Sequence, residues 1–129
     1  MSKENPKFLV CDDSILARKK LSDTLSTLGY TNVVSVSNGE EAVNLYKLEK
    51  PDVVILDIVM PVKDGITATK EIIEYDKNAL IIISSSVGTQ SHLKEVIKAG
   101  AKDFIQKPVD PALLDEIIKN NLDRRQENE

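Results

Sequence analysis

At 129 residues, 41% hydrophobic and 29% charged, the chain has the size and composition of one packed globular domain rather than a disordered one. A formal net charge of −4, with Lys and Arg scattered, argues against nucleic acid as a ligand, because phosphate binding would need a basic stripe. Met1 to Lys7 lacks the apolar core of a signal peptide and no apolar run could cross a bilayer, so a cytoplasmic protein is expected, with no membrane partner.

Phe8-Leu9-Val10-Cys11 reads as a first strand that ends at Asp12-Asp13. Its Cys11 is the single cysteine, which fits a reducing compartment and small core filler better than a reactive thiol. Ser14 offers an N-cap for a helix running to about Leu28, with Leu21, Leu25 and Leu28 as a buried stripe and Gly29 as its stop. Val33 to Val36 follows as a second strand, with Asn38-Gly39 as a turn. The next helix spans Glu40 to Leu48 and faces Ala42, Leu45 and Leu48 inward, before Pro51 closes it.

Val53-Val54-Ile55-Leu56 has the unbroken apolar character of a strand buried on both faces. It runs into Asp57 and a loop carrying Pro61 and Asp64-Gly65. Helix three is expected over about Ile66 to Tyr75, with Ile66, Ile72 and Ile73 apolar. A fourth strand, Ala79 to Ile83, breaks into Ser84-Ser85-Ser86. Helix four covers about His92 to Ala99 and stops at Gly100. Asp103 to Gln106 is the fifth strand, ending at Lys107-Pro108. Pro111 suits the first position of a last helix with Leu113, Leu114, Ile117 and Ile118 inward, and the charged tail from Asp123 is expected to fray. Five unbroken strand–helix alternations imply right-handed βαβ units and an α/β, doubly wound parallel sheet covered on both faces: one domain over residues 1–129, with its core at about 7–122.

In such a sheet all strand ends share one edge, so Asp12, Asp13, Asp57, Ser85 and Lys107 converge although they are far apart in sequence. Each has a plain reading alone. Asp57 and Ser85 suit turns, Asp12-Asp13 suits a helix start, and Lys107 suits a solvated surface. Together they fit a carboxylate nucleophile that accepts a phosphoryl group, with a cation and a lysine neutralising its charge. Oxygen-only ligands point to Mg²⁺, and the lone His92 leaves a catalytic triad or a zinc site poorly supported.

The chain resembles the response-regulator receiver domains of the CheY type. The match rests on Asp12-Asp13, Asp57-Ile58-Val59-Met60-Pro61 with Asp64-Gly65, Ser85-Ser86, Ala99-Gly100-Ala101 and Lys107-Pro108, and covers essentially the whole chain. The resemblance implies a flavodoxin-like three-layer sandwich with strand order 2-1-3-4-5; this family is itself a stock example of that order, which the resemblance alone supplies. It makes Asp57 the phosphoacceptor and Asp13 a direct Mg²⁺ ligand, with Asp12 and the Val59 carbonyl completing the site. Ser85 becomes the switch hydroxyl, Lys107 the phosphate-binding lysine and Phe104 the switch aromatic, with a cis bond before Pro108. Ser86 departs from a frequent Ala. Val59 and Val87 are apolar where faster-hydrolysing members carry polar groups.

The function so implied is that of a stand-alone two-component regulator. It is phosphorylated by a histidine kinase and signals by contact with an output protein such as a flagellar switch component, with a phosphatase as a possible further partner. It is not expected to be an enzyme beyond Mg²⁺-dependent self-phosphorylation and slow autodephosphorylation. A phosphorelay intermediate is the rival within the family. A small aspartyl phosphatase of the haloacid dehalogenase type would need an acid at Val59 and a cap over its substrate. A flavodoxin-like electron carrier would need a Ser/Thr/Gly-rich phosphate loop where Asp12-Asp13 stands.

Overall fold

The computed structural model describes residues 5–86 and 90–127. Two four-residue runs without a polar side chain, β1 (Phe8–Cys11) and β3 (Val53–Leu56), are buried at every position, as strands inside a covered parallel sheet must be. β2 (Val33–Val36) flanks β1, while β4 (Ile81–Ser85) and β5 (Asp103–Gln106) follow β3. The all-parallel order is β2-β1-β3-β4-β5, as expected.

Helices α1 (Ile15–Thr27), α2 (Gly39–Glu49), α3 (Gly65–Tyr75), α4 (Gln90–Ala99) and α5 (Pro111–Glu127) connect the strands. Alternation along each strand divides the core in two. Leu9, Cys11, Leu56 and Ile83 pack with Val43, Tyr46, Ile72 and Val96 of α2, α3 and α4. Val10, Ile55, Ile82 and Ile105 pack with Leu25, Leu114 and Ile118 of α1 and α5. A fully buried Leu or Ile contributes about 1.5–3 kcal/mol, so these two layers supply most of what holds the helices to the sheet.

Among the described residues, four helix starts are capped by the side chain before them, α5 among them, where Asp110 Oδ1 accepts from Ala112 N at 3.1 Å. Ser14 Oγ accepts from Ala17 N at 3.2 Å, Asn38 Oδ1 from Glu41 N at 2.9 Å, and Asp64 Oδ1 from Thr67 N at 2.7 Å. Each such cap is worth about 1 kcal/mol. Asn38-Gly39 is thus a helix start and not a free-standing turn. Gly29, at φ +96°, takes the left-handed conformation that ends α1.

Several expected positions differ. Leu48 is 77% exposed, and α2 instead buries Val43 and Tyr46 beside Ala42. Burying Tyr46 is tolerated because its hydroxyl reaches Asp76 Oδ2 at 2.8 Å. Leu113 is 44% exposed, while Leu114, Ile117 and Ile118 do face inward. β4 runs two residues further than its apolar run, through Ser84 and Ser85, because β5 continues to pair with it up to Gln106. Helix α5 continues to Glu127, past the expected fraying point at Asp123. Cys11 is core filler, as expected. Its thiol is pushed up to about 12, first by burial and then by the charge of Asp12, which makes it unreactive near neutral pH.

Candidate functional site

The register of the parallel ladder determines which side chains meet at its carboxyl edge. Cys11 is level with Leu56, so the residues that follow, Asp12 and Asp57, leave the sheet side by side. Asp12 N donates to Val36 O at 3.2 Å and Asp57 N to Cys11 O at 3.0 Å, which holds both backbones as the strands end. On the other side Ser85 is level with Gln106, and Lys107 N donates to Ser85 O at 2.9 Å. The Lys107–Pro108 bond is cis, as expected.

Asp12, Asp13 and Asp57 each place a carboxylate oxygen within 4.8 Å of the others. Asp12 is buried, Asp57 partly buried and Asp13 exposed. Asp12 Oδ1 accepts from Ser14 N at 2.9 Å, and its Oδ2 from Lys107 Nζ at 2.5 Å. Asp57 Oδ1 accepts from its neighbour Ile58 N at 2.8 Å, and Lys107 Nζ lies 3.4 Å from Asp57 Oδ2. One ammonium therefore bridges two of three crowded acids.

The electrostatics follow from that arrangement. Burial pushes the Asp57 carboxyl above the usual range; Lys107 pulls it down and Asp12 pushes it further up. Burial also works against the charge on Lys107, but the hydrogen bond with Asp12 and the attraction of Asp57 and Asp12 outweigh it, so its pKa lies above that of an ordinary lysine. Three carboxylates against one lysine leave an excess of negative charge that a cation would offset. A donor set of oxygen alone suits a hard divalent ion.

Ser85 is buried at the end of β4. By strand alternation it faces the same side as Ile83, the side on which the half-buried Phe104 also packs. Val59, two residues after Asp57, is 63% exposed. Val87 lies outside the described residues.

Two participants, Arg18 and Lys63, are not evident from the sequence, and a third, Gly65, has a role there that its motif does not show. Arg18 Nη1 donates to Asp12 O at 2.7 Å and so tethers α1 to the acid turn. Lys63 bridges Glu40 and Glu71, at 2.8 and 2.7 Å, and ties the β3–α3 loop to α2 and α3. Gly65 N donates to Ile58 O at 2.8 Å, bringing the first turn of α3 against the backbone of the phosphoacceptor candidate. The partners of Arg18 and Gly65 are main-chain carbonyls, which leave no mark in a sequence. Only the Glu40, Lys63 and Glu71 triplet has charges that hint at its pairing.

The family model for the response regulator receiver domain matches residues 8–119. The chemotaxis protein CheY of Thermotoga maritima is 46% identical over 112 residues, 87% of this chain and 93% of the relative. CheY of Bacillus subtilis is 43% identical over 116 residues, 90% of this chain and 97% of the relative. A chain in the crystal structure of the CheX–CheY–BeF3–Mg²⁺ complex from Borrelia burgdorferi superposes with a TM-score of 0.83 at 38% identity, covering 88% of this chain and 87% of its own.

Proposed function

The chain belongs to the response regulator receiver domain family and is a response regulator of a two-component system, and from that premise we propose that Asp57 accepts a phosphoryl group from a histidine kinase. The observation that carries this reading is the joint placement of Asp57 beside Asp12, Asp13 and Lys107. In the transfer a carboxylate oxygen of Asp57 bonds to phosphorus while the bond from phosphorus to the donor imidazole breaks, and the histidine leaves neutral. Lys107 faces the charge on the incoming phosphoryl oxygens, and the Ser85 hydroxyl donates to one of them once the group is in place.

Asp12, Asp13 and Asp57, with the carbonyl of Val59, would hold Mg²⁺. When bound, the ion neutralises charge shared between the carboxylates and the phosphoryl group. The bonded phosphoryl group is a new dianionic acceptor; it draws Ser85 toward Asp57 and lets Phe104 move inward on the same face, which alters contacts with an output protein. The relatives, both chemotaxis proteins, favour chemotaxis as the pathway, and the expectation from the sequence adds a flagellar switch component as the output and the cytoplasm as the location. Among the described residues no helix is long and apolar enough to cross a membrane. Ile15, Leu16, Val59 and Val62, all largely exposed, lie in sequence beside the acid turn and in the loop after Asp57, which suits a protein as phosphoryl donor.

Acetyl phosphate, the smallest donor, tests the chemistry. One phosphoryl adduct per chain is expected by intact mass in Mg²⁺ and almost none in chelator. Equal adduct in both would mean that no cation takes part. Asp13→Ala is expected to weaken Mg²⁺ affinity at least tenfold, about 1.4 kcal/mol, without lowering the melting temperature in chelator. A metal titration beside a thermal melt reads both, and a large drop in the melt would make Asp13 structural.

The lifetime of the phosphorylated state turns on the water that attacks it. Val59 cannot hydrogen-bond a water, so unassisted hydrolysis is expected to be slow, leaving a role for a phosphatase. Val59→Asn should accelerate phosphate release by up to about tenfold, for which a barrier change of ~1.4 kcal/mol suffices. Identical release rates would show that position 59 does not govern the attacking water.

A further inference from the structure

A cleft of about 360 Å³ lies between α1 and the connection from β5 to α5. Ala17 and Leu21 line it from α1, and Pro108 and Val109 from the connection, so its walls are mostly apolar. Ser84 also lines it. That residue is 3% exposed, and its hydroxyl has no hydrogen-bond partner among the described residues. A buried polar group left unpaired is costly and uncommon, so its presence in the lining of a cleft calls for a partner from outside the chain.

Ser84 is distinct from the switch hydroxyl. Ile82 belongs to the core layer under α1 and α5, and Ser84, two residues on, faces the same way. Ser85 faces the opposite layer. Asp12 and Lys107, which also line the cleft, are paired with each other, and Lys20 adds an exposed ammonium from α1. A charged group brought up to the buried Ser84 hydroxyl would lose its water without gaining a counter-ion there, whereas a neutral group would not. A hydroxyl both donates and accepts, so either an alcohol or an amide satisfies Ser84. The volume lies within the range of small-molecule sites and holds on the order of a dozen non-hydrogen atoms.

We propose that this cleft binds a small, uncharged organic molecule with an apolar body and one hydroxyl or amide group, which hydrogen-bonds Ser84. The proposal does not depend on phosphorylation at Asp57. Benzyl alcohol is a suitable probe, with toluene as its partner lacking the hydroxyl, each titrated at low millimolar concentration into nitrogen-15-labelled chain. Saturable amide shifts are expected at Ala17, Leu21, Ser84 and Val109, with toluene binding at least fivefold more weakly. Ser84→Ala should erase that preference while leaving apolar binding in place. Ala17→Leu, which fills the cleft from a half-exposed helix position, should abolish binding of both; Thr24→Leu fills it from the other end should the first variant fail to fold. Non-saturable or scattered shifts would overturn the proposal and leave Ser84 to an ordered water. So would equal affinity for the two probes, or binding that survives both filling substitutions.

Discussion

Asp57→Asn is expected to take up no phosphoryl group from acetyl phosphate in Mg²⁺, under conditions in which the unaltered chain takes up one. The amide keeps the shape of the side chain and its contact with Ile58 N, but its oxygen is a far weaker nucleophile than a carboxylate. Asp12 is a poor substitute. It is buried, with one oxygen held by Ser14 N and the other by Lys107. Asp13 is exposed and is the acid to examine if an adduct persists. Intact mass and peptide mapping of both chains decide the matter, and undiminished labelling of the variant puts the nucleophile elsewhere. The fold should survive, because the substitution removes one of three crowded charges and leaves Lys107 its pair with Asp12. A melting temperature in chelator lower by more than about 4 °C, roughly 1 kcal/mol, would mean that the Asp57 carboxylate holds the structure together.

The loss of labelling and the retention of fold probe different properties of the molecule. The first concerns chemistry at a single oxygen. The second concerns whether the acidic site is an addition to an independently stable sheet. The β1 and β3 residues of both core layers precede Asp12 and Asp57, and only Ile58 and Met60 of the layer under α2, α3 and α4 follow in the loop after Asp57, so the site sits at the edge of that core.

The parts legible in the sequence share a physical cause. A strand buried on both faces has to be an unbroken apolar run, and β1 and β3 are visible for that reason. A parallel sheet brings its carboxyl ends to one edge, so Asp12, Asp57 and Lys107 can be grouped from chain order alone. Helix faces are harder. Around α2, Ala42 and Leu45 pack on the core as expected, but beyond them the apolar surface divides between Leu48 on one side, which is exposed, and Val43 and Tyr46 on the other, which are buried. The choice between them is made by α3, against which α2 packs, and by Asp76, which satisfies the Tyr46 hydroxyl. The serines of β4 look like a loop because a strand interior rarely needs hydroxyls, yet pairing with β5 carries the strand through them. Arg18 is a different case, since its partner is the main-chain oxygen of Asp12 and any residue at position 12 would present one.

Gly65 has the look of a turn residue in the sequence, and the fold holds it to a stricter role. A Cβ built there would lie 2.0 Å from Asp57 O and 2.9 Å from the Ile58 Cα, both of them backbone atoms that cannot rotate aside. Gly65→Ala therefore has to push α3 away from β3 or displace Asp57 itself. Overpacking of this kind costs about 2–3 kcal/mol, a fall of roughly 10 °C in melting temperature for a chain of this size. Because the displaced backbone carries the phosphoacceptor, labelling by acetyl phosphate should also slow at temperatures where the variant is still folded. Lys70→Ala, at an exposed position of the same helix, is the control and should stay within about 0.5 kcal/mol of the unaltered chain. Melts and labelling rates of the three chains, measured together, separate the outcomes. A Gly65→Ala chain as stable and as readily labelled as the control would show that β3 and α3 part without cost. In that case the close approach of α3 is not what positions Asp57.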